Sequence, residues 1–173
     1  MVSLSLLVYQ CRQPASSAPA TTSDPSALGD GWTAGDPAPI TGANIYTTCA
    51  NTSNIPVEGT ALEYENPVLG IGHQRTVATF TTIDAATDMV RAWSDDPWSC
   101  ARGTGIDARR LAAPDVDGAD ATVMWALDYG AGSSTTQRVA VARFDDTLVI
   151  VSSTGPIIDV AGIERSMTTL LND

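Results

Sequence analysis

The chain has 173 residues, with nine basic against twenty acidic side chains and a formal net charge of −11. An acidic field of that size repels nucleic acid and anionic lipid headgroups, whose binding depends on basic patches, so neither is expected as a partner. Taking away a leader and linker of about 30 residues leaves roughly 140, enough for one domain with its own core.

Residues 1–11 hold a short apolar run (Val2, Leu4, Leu6, Leu7, Val8, Tyr9) that ends at Cys11. About ten residues are too few to span a bilayer, which takes roughly 20, but they suit the end of a signal-peptide apolar region. Residues 12–31 are rich in Ser, Pro, Ala and Thr. An apolar segment, one cysteine and a polar leash together predict an exported lipoprotein lipidated at Cys11, extracytoplasmic, and touching the membrane only through that anchor. Gln10 is larger than the small residue a processing site favours at that place.

Export bears on the other two cysteines. Cys49 and Cys100 form an even pair in a compartment where disulfides persist, and a bridge between them is the expectation. Closing a loop of about 50 residues stabilises by roughly 4 kcal/mol in the chain-entropy account. The alternatives are free thiols or a metal site. A metal site needs more ligands, and the chain has a single histidine, His73, and no CxxC; no metal or cofactor is expected.

The domain is expected over residues 32–173. Trp32 begins it and Asp36–Pro39 keeps the chain extended. Residues 40–57 read ambiguously, with a short irregular or helical piece near Ile45–Cys49. Thr60–Val68 alternates as a half-buried strand, Leu62 and Tyr64 against Glu63 and Glu65. Gly70–Gly72 is expected to turn the chain into a second strand, His73–Thr81. The period then changes: Thr82 caps a helix with Ile83, Ala86, Met89, Val90 and Trp93 on one face, ended by Pro97.

In the second half, Ile106–Ala113 is a strand candidate and 114–120 a loop. Ala121–Tyr129 alternates, with Val123, Trp125, Leu127 and Tyr129 on one side. Gln137–Phe144 and Thr147–Ser153 form a hairpin around Asp145-Asp146. Leu148–Val151 is apolar on both faces and so reads as a central strand, and Gly155-Pro156 is expected to break it. A last helix, about Ile158–Leu171, carries Val160, Ile163, Met167, Leu170 and Leu171. The order predicts an α+β fold: two layers, a largely antiparallel sheet of five to six strands, and two helices on one face.

Two stretches carry a resemblance: Thr82–Trp93 followed by Trp98-Ser99-Cys100, and Arg138–Ser152 before a terminal helix. Together they are similar to the extracellular sensor domain of actinobacterial PknH-type receptor kinases and its free-standing lipoprotein relatives, over about residues 55–171. The family usually carries two disulfides where this chain can form one within the domain, and no kinase motif is present. The resemblance implies a stand-alone, sensor-like lipoprotein whose relatives bind a cell-envelope ligand in a cleft over the sheet.

Catalytic signals are thin. There is no GxSxG elbow to serve His73, and the aspartates of 115–120 lack the glutamate a calcium loop needs at its twelfth position. No enzyme activity is expected. Tyr64, Trp98, Trp125 and Tyr129 are candidates to line an apolar cleft, with Arg138 and Arg143 as anchors for an anionic group; the plainer role of both arginines is to pair with surface acids. The predicted function is a monomeric, lipid-anchored, ligand-binding domain of the cell envelope. The alternative is a protein-interaction or inhibitor module acting on an envelope protein, which would show an exposed flat apolar patch instead of a pocket.

Overall fold

The structure, a computed structural model, describes residues 24–40, 58–95, 107–128, 133–156 and 159–173. A 3-10 turn at Pro25–Leu28 leads into two two-residue strands, β1 (Thr33–Ala34) and β2 (Ala38–Pro39). Then follow β3 (Glu58–Asn66), β4 (Ile71–Thr79), α1 (Ile83–Asp95), β5 (Asp107–Arg110), β6 (Ala121–Asp128), β7 (Thr135–Phe144), β8 (Thr147–Pro156) and α2 (Val160–Asn172). No helix among the described residues is long and apolar enough to cross a membrane.

All strands join one antiparallel sheet in the order β1-β3-β4-β8-β7-β6-β5, with β2 also on the outer edge of β3. The α+β class, the antiparallel sheet and the two helices match the sequence expectation. Among the described residues the sheet has eight strands, six of them of four residues or more. Strand β8 lies at its centre between β4 and β7, as its two-sided apolar run requires.

That same run places the helices on opposite faces, not on one. Side chains alternate across a strand, so Leu148 and Ile150 enter one core and Val149 and Val151 the other. A two-layer arrangement would leave one of these rows in water, and each fully buried apolar side chain stabilises by about 1.5–3 kcal/mol. Helix α1 covers the first row with Ala86, Met89 and Val90. Helix α2 covers the second with Ile163, Met167, Leu170 and Leu171, all fully buried.

Local chemistry sets the helix starts. The Thr82 hydroxyl accepts from the Ala85 amide at 3.1 Å, and Asp84 in the first turn suits the helix dipole. Asp159 caps α2 by accepting from the Gly162 amide at 2.9 Å.

Two glycines behave differently from their sequence reading. Gly72 lies inside β4, because the turn is already made at Pro67–Gly70, where Gly70 takes a positive φ of 66°. Gly155 and Pro156 extend β8, paired with Thr136 and Thr135, and do not break it. A Cβ at Gly155 would stand 3.1 Å from Ile71 and 3.2 Å from Ile163, so the missing side chain lets the two isoleucines close over the strand.

The segment from Leu28 to Ile40 wraps the β3 edge. Leu28, Trp32 and Ala34 pack on the α2 core and Ile40 on the α1 core. The described structure includes the 3-10 turn at Pro25–Leu28, within the stretch read from sequence as a linker.

Candidate functional site

The residues proposed from sequence to line one cleft divide between the two faces. Tyr64 lies on the α2 face, fully buried, and burial pushes its phenol up from the ordinary value. Arg138 is on the same face with its side chain only 4% exposed, donating to Thr136 Oγ1 at 2.6 Å and to Glu164 Oε1 at 3.3 Å. Trp125 is buried on the α1 face. Arg143 pairs with Asp120 at 3.3 Å and donates to the Asp145 carbonyl at 2.9 Å. Both arginines thus hold acids of the domain itself, the plainer of their two sequence readings. Trp98, Tyr129, Cys11, Cys49 and Cys100 lie outside the described residues.

Under α2 sits a polar interior. His73 is 3% exposed, its ring stacked on Trp32 with centroids 4.7 Å apart. Its Nε2 meets Ser166 Oγ at 2.7 Å, and Ser166 in turn donates to the Ile163 carbonyl. Burial lowers the imidazole from about 6.5 to about 4, so the ring is neutral at pH 7. Two residues on, Arg75 is fully buried and donates from Nε to the Leu170 carbonyl at 2.7 Å, one of the last carbonyls of α2, which have no partner within the helix. No group of three or more His, Cys, Asp or Glu side chains among the described residues could hold a metal. The His73–Ser166 contact is sealed beneath Trp32 and α2, and its geometry serves to dock the helix.

A different place is open to a ligand. Among the described residues, helix α1 packs on its face of the sheet at the Ala78–Leu148 end. Towards the other end of β3, β4 and β8 a concavity of about 250 Å³ remains, lined by Glu63, Tyr64, Glu65, Gly72, His73, Gln74, Ser152 and Thr154; Tyr64, a sequence candidate for a cleft, and His73 border it although their side chains lie on the α2 face. The register explains the cluster. Glu63, Gln74 and Ser152 form one row across the three strands, and Glu65, Gly72 and Thr154 the next. At the centre, no atom of the described residues beyond its two chain neighbours lies within 4 Å of the place a Gly72 Cβ would take, so the floor there is backbone without a side chain. Both carboxylates are exposed. Sequence reading placed Glu63 and Glu65 on one strand face but had no means to add Gln74, Ser152 and Thr154, which arrive only through strand pairing.

No protein-family model matches this chain, and no curated protein does. Solved structures do. The extracellular domain of PknH from Mycobacterium tuberculosis superposes over 85% of this chain and 87% of its own, with a TM-score of 0.56 and 14% identity. An Rv0999 orthologue from Mycobacterium smegmatis aligns over 86% of this chain and 93% of its own, with a TM-score of 0.48 and 15% identity. The chain thus has the fold of the PknH extracellular domain, as its helix and hairpin motifs led us to expect.

Proposed function

We propose that this chain is a non-catalytic, sensor-like domain of the cell envelope that binds its ligand in the concavity over Gly72. The observation that carries the reading is the concavity along the polar row on the α1 face, left open by the described residues, in a fold shared with an extracellular domain. In the proposed arrangement Cys11 is lipidated, a Cys49–Cys100 bridge ties the α1 exit to the N-terminal part, and the domain works as a monomer outside the cytoplasm.

The test is a thermal-shift screen of the native protein against glycans, lipids and peptidoglycan fragments, since a ligand selective for the folded state raises the melting temperature. The Gly72→Val variant is the control. Its added side chain enters open space in a strand, where valine is favoured, so folding is retained while the floor is blocked. A ligand that shifts the native protein and not the variant supports the reading. A ligand that shifts both equally places binding elsewhere.

The interaction-module alternative has a smaller basis. Val68 and Leu69, at the β3–β4 turn, are 87% and 51% exposed. Crosslinking in the intact envelope that captures one partner, lost in Val68→Ser/Leu69→Ser and unaffected in Gly72→Val, would favour it.

A further inference from the structure

We propose that the β3–β4 turn, residues 67–70, is a second membrane contact, which seats Val68 and Leu69 in the surface of a bilayer with neutral headgroups, beside the point where the tether enters the domain. The inference rests on the lipid-anchored reading and adds the surface through which the domain lies on that membrane.

Pro67 and Gly70 serve the geometry of the turn, and Gly70 takes its positive φ. Val68 and Leu69 at the crest do not: positions usually given to Asn, Asp or Ser hold two exposed apolar side chains. Ile83, the other exposed large apolar side chain among the described residues, lies beyond the opposite end of β4. The crest is braced from inside. Asn66 is buried, and its Oδ1 accepts from the Leu69 amide at 3.1 Å. The same side chain donates from Nδ2 to the Asp30 carbonyl at 3.3 Å. One buried amide therefore grips both the apolar crest and the incoming chain. The pairing agrees: β1 runs antiparallel to β3, with Thr33 opposite Glu65 and Ala34 opposite Tyr64, so the chain leading into Thr33 arrives from the turn end of the sheet.

The length of chain between anchor and domain makes a bilayer the occupant. Residues 12–23 separate Cys11 from Asp24, a stretch that spans at most about 45 Å when fully extended. A lipid on Cys11 keeps the turn that close to the membrane. The second contact is then intramolecular, and one too weak to form from free solution is populated. A protein partner fits less well. A specific interface takes about 1,000 Å² or more, which two side chains do not provide, whereas a bilayer accepts a crest of any size. Asp30 and Glu65, both exposed, stand beside the turn and repel anionic headgroups, so a neutral surface is the one that matches.

The test places the full chain, purified from the envelope, on phosphatidylcholine vesicles whose acyl chains carry a photoactivatable group, and locates the lipid adducts by mass spectrometry. Adducts are expected on Val68 or Leu69 as well as near the anchor. Their yield at the turn should fall by about fivefold or more in Val68→Ser/Leu69→Ser, which removes the apolar surface from an exposed turn, and should be unchanged in Ile83→Ser. Adducts near the anchor alone, adducts spread evenly over the surface, or an equal yield at the turn in the double serine variant overturn the inference. An envelope protein crosslinked to the native chain and lost in the double variant, with no lipid adduct at the turn, assigns the crest to a protein partner and overturns it too. Intact mass tests the anchor separately. If Cys11 carries no lipid, the anchored reading has failed; the chain is then held on the same vesicles by an N-terminal histidine tag on a nickel-chelating lipid, and labelling of the turn still decides the inference.

Discussion

At the scale of single residues, the buried cationic and titratable groups under α2 hold the least replaceable contacts. His73 is neutral when folded, with a pKa of about 4, against about 6.5 when the chain is unfolded. Between those values the unfolded chain binds more protons, so stability is level above about pH 6.5 and falls as pH drops towards 4. The shift is worth about 3 kcal/mol in all. Urea midpoints measured from pH 7.5 to 4 should show this decline in the native protein, and a shallower one in His73→Gln. An identical slope in both would assign the acid sensitivity to other groups. Arg75→Met should cost about 1.5–3 kcal/mol, because it removes a charged donor from the Leu170 carbonyl inside the core. Calorimetry of the two proteins checks it. Neither role could be read in the sequence. A histidine or arginine in an alternating strand points to one face or the other, but only the position of α2 decides whether that face is wet.

At the scale of elements, the start of α2 shows why a glycine stands inside a helix. A Cβ at Gly162 would press on the capping carboxylate of Asp159. Replacing glycine by alanine within a helix ordinarily gains about 1 kcal/mol, while losing an aspartate cap costs about the same. Gly162→Ala should therefore be close to neutral. Asp159→Ala alone should cost about 1 kcal/mol, and the double variant should regain about that amount. A double-mutant cycle by chemical denaturation measures the coupling; additive effects would mean the cap and the glycine are independent. Most elements were legible in sequence, since period, caps and turn residues are local. The α1 start at Thr82, the Asp145-Asp146 hairpin and the central place of β8 all followed from them. The errors at Gly72 and Gly155 share one cause. Both were read as punctuation, yet one lies in an open strand and the other makes room for Ile71 and Ile163, contacts that come from distant parts of the chain.

At the scale of the whole molecule, the sheet is clasped on both faces and along one edge. The strap from Leu28 to Ile40 joins both cores, and the proposed Cys49–Cys100 bridge would fasten the exit of α1 as well. Intact mass with and without reduction, followed by thiol alkylation, should show one disulfide in protein isolated from the envelope. Reduction should cost up to about 4 kcal/mol of stability; two freely alkylated thiols in native material would remove the bridge and with it the main chemical argument for export. The sequence by itself determined the α+β class, the hairpins, the two amphipathic helices and the acidic character, because each depends on neighbours a few residues away. Only the tertiary structure decided that the helices take opposite faces, that Tyr64 and Arg138 lie back to back with Trp125, and that Glu63, Glu65, Gln74 and Thr154 share one concavity. Those facts depend on strand order and register, which bring residues some ninety positions apart into one row, and no local pattern encodes them.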